Sequence, residues 1–176
     1  MLASPKTQVS TQYDFLIIGY GSELRGDDAV GPRVAMAVAE WQLPSVKSLA
    51  VHQLTPELTA DMAQAHYVIF VDACGRSCAQ TIQIDPIGVS KSTSDVIPAG
   101  THSNTPSVLL SLTQQLYGHH PQGWLLQVST ECFDLGSQLS STACQGCDRA
   151  LRTIEQFFKT YRRPFLMGQA SCMKSA

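Results

Sequence analysis

Two aspartates and a histidine, Asp28, Asp72 and His102, are the residues whose types and positions are best suited to chemistry. Asp28 closes the stretch Gly19-Tyr20-Gly21-Ser22-Glu23-Leu24-Arg25-Gly26-Asp27-Asp28, which follows the apolar run at residues 13–18 (YDFLII). Asp72 ends a second apolar run, residues 67–71 (YVIFV), and His102 ends a loop-like stretch rich in Ser, Thr, Pro and Gly. Two carboxylates and one imidazole suit a borderline divalent ion, nickel or zinc, better than a soft thiolate site would. The same groups can polarise a carbonyl or activate water. In open α/β sheets, ligands bind beyond the carboxyl ends of the strands. Neighbouring strands lie about 5 Å apart, so Asp28 and Asp72 can converge on one ion if the first and third strands are adjacent.

Each signal has a plainer reading. An aspartate before a helix is as often a cap as a ligand. A carboxylate at the end of an apolar strand needs a partner, but many such groups only hold a loop. A lone histidine is more often a hydrogen-bonded surface residue than a ligand. Other motifs offer less. Gly19-x-Gly21 after a strand suggests a dinucleotide turn, but Leu24 stands where the third glycine belongs, and the second strand ends on His52 rather than an acid. The G-x-S-x-G nucleophile turn is absent from the sequence. Cys144-x-x-Cys147 has no second C-x-x-C to complete a structural zinc site. Cys74 and Cys78 follow Asp72 and could approach the site, although a free cysteine is often just a small core residue.

The elements that must position these residues follow from periodicity. Residues 13–18, 47–52, 67–71, 81–84 and 123–128 read as strands. Residues 29–41 place Val30, Val34, Ala37, Val38 and Trp41 at helical spacing. Residues 56–65, opened by Thr55 with Pro56 at the first helical position, predict a short helix. Residues 106–117 predict a third helix, and 138–161 a long final one beginning near Thr142. Strands alternating with helices imply a three-layer α/β/α sandwich around a largely parallel sheet. The strand at 81–84 follows Asp72 too closely for a helical crossover, so it runs antiparallel to its predecessor.

The 176 residues suit one domain with a substantial core, 44% of them hydrophobic and 15% charged. Residues 1–12 read as a flexible lead, 13–163 as the single domain and 164–176 as a loose tail. A formal net charge of -2 argues against a dedicated nucleic-acid binder. No apolar run approaches the roughly 18 residues that span a bilayer, and the polar lead lacks a secretory signal, so the expected location is the cytoplasm, without membrane partners. In that compartment the six cysteines are expected to be reduced.

Taken in order, the motifs carry a resemblance. Residues 19–31 (GYGSELRGDDAVG) resemble the opening motif of the hydrogenase maturation endopeptidases, GxGNxLxxDDGxG. Val71-Asp72-Ala73, Thr101-His102-Ser103, and Val128-Ser129-Thr130-Glu131 followed by Leu139-Ser140 are similar to that family's later motifs, over residues 14–160. The resemblance implies a five-stranded mixed sheet of order 2-1-3-5-4 with strand 4 antiparallel. It implies an endopeptidase that removes the C-terminal extension of a [NiFe]-hydrogenase large-subunit precursor after nickel insertion. Asp28, Asp72 and His102 would be the metal-contacting and catalytic set. Nickel would be carried by the substrate, and no organic cofactor is implied. Two departures stand out. Ser22 replaces the usual Asn, and His52-Gln53-Leu54 replaces an Asp-Gly-type sequence. The second resembles the branch serving bidirectional, NAD-linked hydrogenases, which makes His52, Gln53 and Leu54 the expected specificity residues. The alternatives are a conventional metal-dependent hydrolase with a resident ion and a non-enzymatic nickel chaperone.

Overall fold

A computed structural model describes residues 12–75, 80–89 and 104–162 of the chain. The expected tail and nearly all of the expected lead lie outside these residues. Five strands, β1 (Tyr13–Tyr20), β2 (Val46–Val51), β3 (Ala65–Cys74), β4 (Ile82–Ile87) and β5 (Gln122–Ser129), form one sheet of order β2-β1-β3-β5-β4. β1 pairs in parallel with β2 and β3, β3 pairs in parallel with β5, and β4 is antiparallel to β5. The order is the one that the resemblance implies, and the antiparallel strand is the one expected from the short connection after Asp72.

The helices are α1 (Val30–Glu40), α2 (Leu58–Met62), α3 (Pro106–Tyr117) and α4 (Ser141–Tyr161). β1 is buried on both faces, which is why it reads as an unbroken apolar run. Phe15 and Ile17 face a core shared with Val34 and Val38 of α1 and with Ile154, Phe157 and Phe158 of α4. Leu16 and Ile18 face a second core with Leu58 and Met62 of α2 and Leu109 and Leu110 of α3. Two cores on opposite faces of one sheet make the three-layer sandwich. At the amino ends of the strands the first core closes on an aromatic group: Phe15 stacks on Tyr67 at 5.5 Å, and Phe157 stacks on Tyr161 at 4.3 Å.

Local chemistry sets the helix limits. Thr105 caps α3 through a bond from the Val108 amide, Pro106 takes the first position, and Gly118 ends the helix at φ 78°. Ser140 caps α4 by accepting from the Ala143 amide. α2 is shorter than the expected 56–65. The Leu58, Thr59 and Ala60 amides donate three residues back, to Thr55, Pro56 and Glu57, so the first turn is tighter than α-helical.

Two glycines set how close the first helix comes to the sheet. A Cβ on Gly19 would lie 1.9 Å from the Gly31 carbonyl oxygen, and one on Gly31 would lie 2.4 Å from that of Tyr20. α1 therefore passes over the end of β1 with no side chain between them. This close passage carries the polar turn that precedes α1 over the carboxyl ends of β1 and β3.

Candidate active site at the carboxyl ends of the strands

The turn between β1 and α1 winds through Gly21 at φ 142° and Gly26 at φ 52°, a range that L-residues rarely adopt. It ends in a single 3-10 turn, Gly26–Ala29, which holds both Asp27 and Asp28. Neither aspartate caps α1, whose N-cap, Ala29, makes no side-chain cap bond. Asp28 instead closes the turn on itself: its Oδ2 accepts the Ser22 amide at 2.8 Å. Ser22 is nearly buried, and its Oγ accepts the Leu24 amide at 3.4 Å, so the serine serves the turn as a small polar residue should.

Asp27 is fully buried and has a different role. Its Oδ2 accepts the Glu131 amide at 2.8 Å, the Cys132 amide at 2.9 Å and the Ser140 hydroxyl at 2.7 Å. Its Oδ1 accepts the Ser140 amide at 2.7 Å, and its own amide donates to the Cys132 carbonyl at 2.8 Å. Burial alone would raise the pKa of this carboxyl, but the bonds from Ser140, Glu131 and Cys132 outweigh it and hold the group below the usual carboxylate range. The segment after β5 is thereby pinned to the turn before α1. The Gly136 amide, donating to the Leu24 carbonyl at 2.8 Å, adds a second tie.

Asp72 lies on β3, on the face that carries Val68 and Phe70 into the second core. The register pairs Ile18 with Phe70, so Tyr20 and Asp72, two residues further along each strand, are lateral neighbours on the same face. The Tyr20 hydroxyl donates to Asp72 Oδ2 at 2.9 Å. Burial raises the Asp72 pKa above the ordinary carboxylate value. Bonds from Tyr20 and the Ala73 amide pull it down, and the charge of Asp28 pushes it up. Burial also pushes the Tyr20 phenol well above its ordinary value, and the charge of Asp72 and the hydrogen bond act in the same direction.

His102 lies outside the described residues, so the expected third member of the set has no geometry here. Asn104, two residues later, is anchored: its Nδ2 donates to the Leu54 carbonyl at 3.1 Å. Of the expected specificity residues, His52 and Gln53 are exposed just after β2, whereas Leu54 is buried in the second core. A groove of about 430 Å³ is lined by Gly21, Ser22 and Leu24 of the turn, Pro32 and Met36 of α1, and His52.

The chemistry of the donor set fits a divalent ion in part. Asp28 and Asp72 supply two carboxylates, and the charge of Asp28 acts on Asp72. Among the described residues no group of three or more His, Cys, Asp or Glu is arranged to hold a metal. Cys147 is no substitute. Burial first, then the charge of Cys144, pushes its thiol up to about 11, which keeps it protonated and unreactive. Cys132, Cys144 and Cys147 are free, but Cys74 is disulfide-bonded, against the expectation of reduced thiols. That expectation rested on the expected compartment and on how little a well-cored domain needs cross-links, neither of which decides whether two thiols meet. No helix among the described residues is long and apolar enough to cross a membrane.

Sequence reasoning missed two residues. Asp27 was legible only as a possible cap. Tyr20 read as part of a glycine turn, although the alternation Leu16, Ile18, Tyr20 against Val68, Phe70, Asp72 carries the signal that puts the two groups side by side.

No protein-family model matches the chain, and no curated protein does. Solved structures do match. The [NiFe] hydrogenase maturation protease HycI from Thermococcus kodakarensis KOD1 is 21% identical with a TM-score of 0.65, over 82% of this chain and 92% of that one. The hydrogenase maturating endopeptidase HybD from E. coli is 23% identical with a TM-score of 0.62, over 83% of this chain and 92% of that one. The hydrogenase 2 maturation peptidase from a Thaumarchaeota archaeon is 20% identical with a TM-score of 0.61, over 82% and 97%. With its strand order, antiparallel fourth strand and flanking helices, this chain has the fold of the hydrogenase maturation proteases.

Proposed function

We propose that this chain is a peptide-bond hydrolase that removes the C-terminal extension of a nickel-loaded [NiFe]-hydrogenase large-subunit precursor. The observation that carries this reading is a fold shared with maturation proteases, with Asp28 in the turn that follows β1 and Asp72 near the carboxyl end of the neighbouring strand β3. Strand ends are where an open α/β sheet binds its ligand. Two carboxylates, with His102 as the expected third group, suit a nickel ion that arrives with the substrate. Reading that ion ties cleavage to completed metal insertion. The same carboxylates are the groups available to polarise the scissile carbonyl or to activate water. No organic cofactor is invoked.

The substrate subclass follows from His52-Gln53-Leu54, which points to the precursor of a bidirectional, NAD-linked hydrogenase. His52 lines the groove along the turn before α1, and Gln53 is exposed next to it, so both are open to a bound polypeptide. Leu54 would contribute differently, by packing in the second core and holding Asn104 through its carbonyl. The expected workplace is the cytoplasm.

Intact-mass analysis of the precursor incubated with the protein tests this reading. Nickel-loaded precursor should lose a C-terminal peptide, and nickel-free precursor should keep its full mass. No shortening of either would favour a nickel-binding chaperone. Equal shortening of both, with metal bound stoichiometrically to the purified protein, would favour a hydrolase with a resident ion.

A further inference from the structure

We propose that Tyr20 is a positioning residue, which holds the Asp72 carboxylate in its working orientation through the bond from its hydroxyl to Oδ2. The proposal rests on the maturation-protease reading of the site and adds a residue to it. The geometry is built into the sheet. β1 and β3 are adjacent and parallel, and their register, Ile18 with Phe70, makes Tyr20 and Asp72 the next lateral pair on the same face. An aspartate near a strand end has two side-chain torsions to settle. The phenol removes that freedom by occupying one defined carboxylate oxygen.

Tyr20 suits the task because its ring is itself fixed. It packs on the second core, paired laterally with Val51 of β2, so the hydroxyl arrives from a rigid platform. The group is also a donor, since a phenol ionises only at about pH 10. A donor of this kind can steady the carboxylate without neutralising it, which a lysine or arginine would do. Asp28 has no such need, because the Ser22 amide already fixes it. Asp28 is thus held by a backbone donor, and Asp72 by the Tyr20 side chain together with the Ala73 amide. A buried tyrosine often hydrogen-bonds only to satisfy its own hydroxyl, so the test must separate positioning from packing.

Tyr20→Phe removes the hydroxyl and leaves the ring. The measurement is kcat and KM for shortening of the nickel-loaded precursor, with Tm alongside. Loss of an outer group that orients a reacting carboxylate typically lowers activity about 10- to 100-fold. The expected result is a fall of that size in kcat, KM within about twofold and Tm within a few degrees of the parent. Full kcat in Tyr20→Phe, or a loss of rate matched by a loss of folded protein, would overturn the positioning role. If the parent protein shortens no precursor, the maturation reading falls and the positioning role falls with it. Full-rate cleavage by both proteins overturns the positioning role alone.

Discussion

Asp27 and Asp72 are the same side chain put to opposite uses within one small region. Asp27 is sealed from solvent and accepts four hydrogen bonds, from Glu131, Cys132 and Ser140. Its charge is better satisfied in the folded protein than in water, and its pKa is lowered. Asp72 is only partly buried, is held by Tyr20 and the Ala73 amide, and sits within the field of Asp28. Its charge is worse satisfied folded than unfolded, and its pKa is raised. The difference separates scaffold from site. A carboxylate that is fully bonded has nothing left to offer a ligand, whereas one that is under-bonded is unstable until a ligand arrives.

The contrast can be broken experimentally. The largest effect should come from Asp28→Asn, at the other carboxylate of the proposed site. It should lower precursor processing by ~100-fold or more, the scale seen when a group stabilising a reacting centre is removed. Tm should move little, because an amide oxygen can still accept the Ser22 amide. Full-rate processing by this variant would remove Asp28 from the site.

Asp27→Asn comes next, and its effect should fall on stability. An amide in place of the carboxylate turns an NH2 toward amides that need an acceptor, which should cost about 2–3 kcal/mol in denaturant unfolding. The pH dependence sharpens the point. A carboxyl with a lowered folded-state pKa contributes stability that is present above its unfolded value and is lost as pH falls through the folded one. The parent should therefore lose stability below about pH 4, and Asp27→Asn should lose less over the same range. Equal acid slopes in the two proteins would show that Asp27 is not the scaffold carboxylate.

The smallest effect has the opposite sign. Asp72 carries a raised folded-state pKa, so its contribution is present at acid pH and is lost as pH rises through the folded value. Asp72→Asn keeps an acceptor for Tyr20 and discards the charge. It should gain about 1 kcal/mol at neutral pH, as substitutions that relieve active-site strain often do, while losing activity. A destabilised Asp72→Asn would place Asp72 with Asp27 on the scaffold side.

How much of this was legible in the sequence differs between the same two groups. The apolar runs and Gly19, Gly21 and Gly31 place β1, the turn and α1 within a residue or two. Asp72 stands out as an acid at the end of the most apolar strand. These are local signals, readable from a short window. The role of Asp27 is not local, because its partners lie 104 to 113 residues away. The pairing of Tyr20 with Asp72, 52 residues apart, depends on strand order and register, which alternation alone does not supply. His102 is readable in sequence as a candidate, but its position lies outside the described residues.

The tie from Asp27 also has a kinetic consequence. Closing a chain loop costs about 0.6 kcal/mol more for each doubling of its length, and this contact closes one of the longest loops in the domain. It should form after the β1–β2 and β1–β3 pairings, whose partners are far nearer in sequence, and late contacts weigh on unfolding rather than on folding. In Asp27→Asn the refolding rate should stay close to that of the parent while unfolding accelerates, a result that chevron measurements can check. The rim of the site is thus the last part of the domain to lock and the first to release.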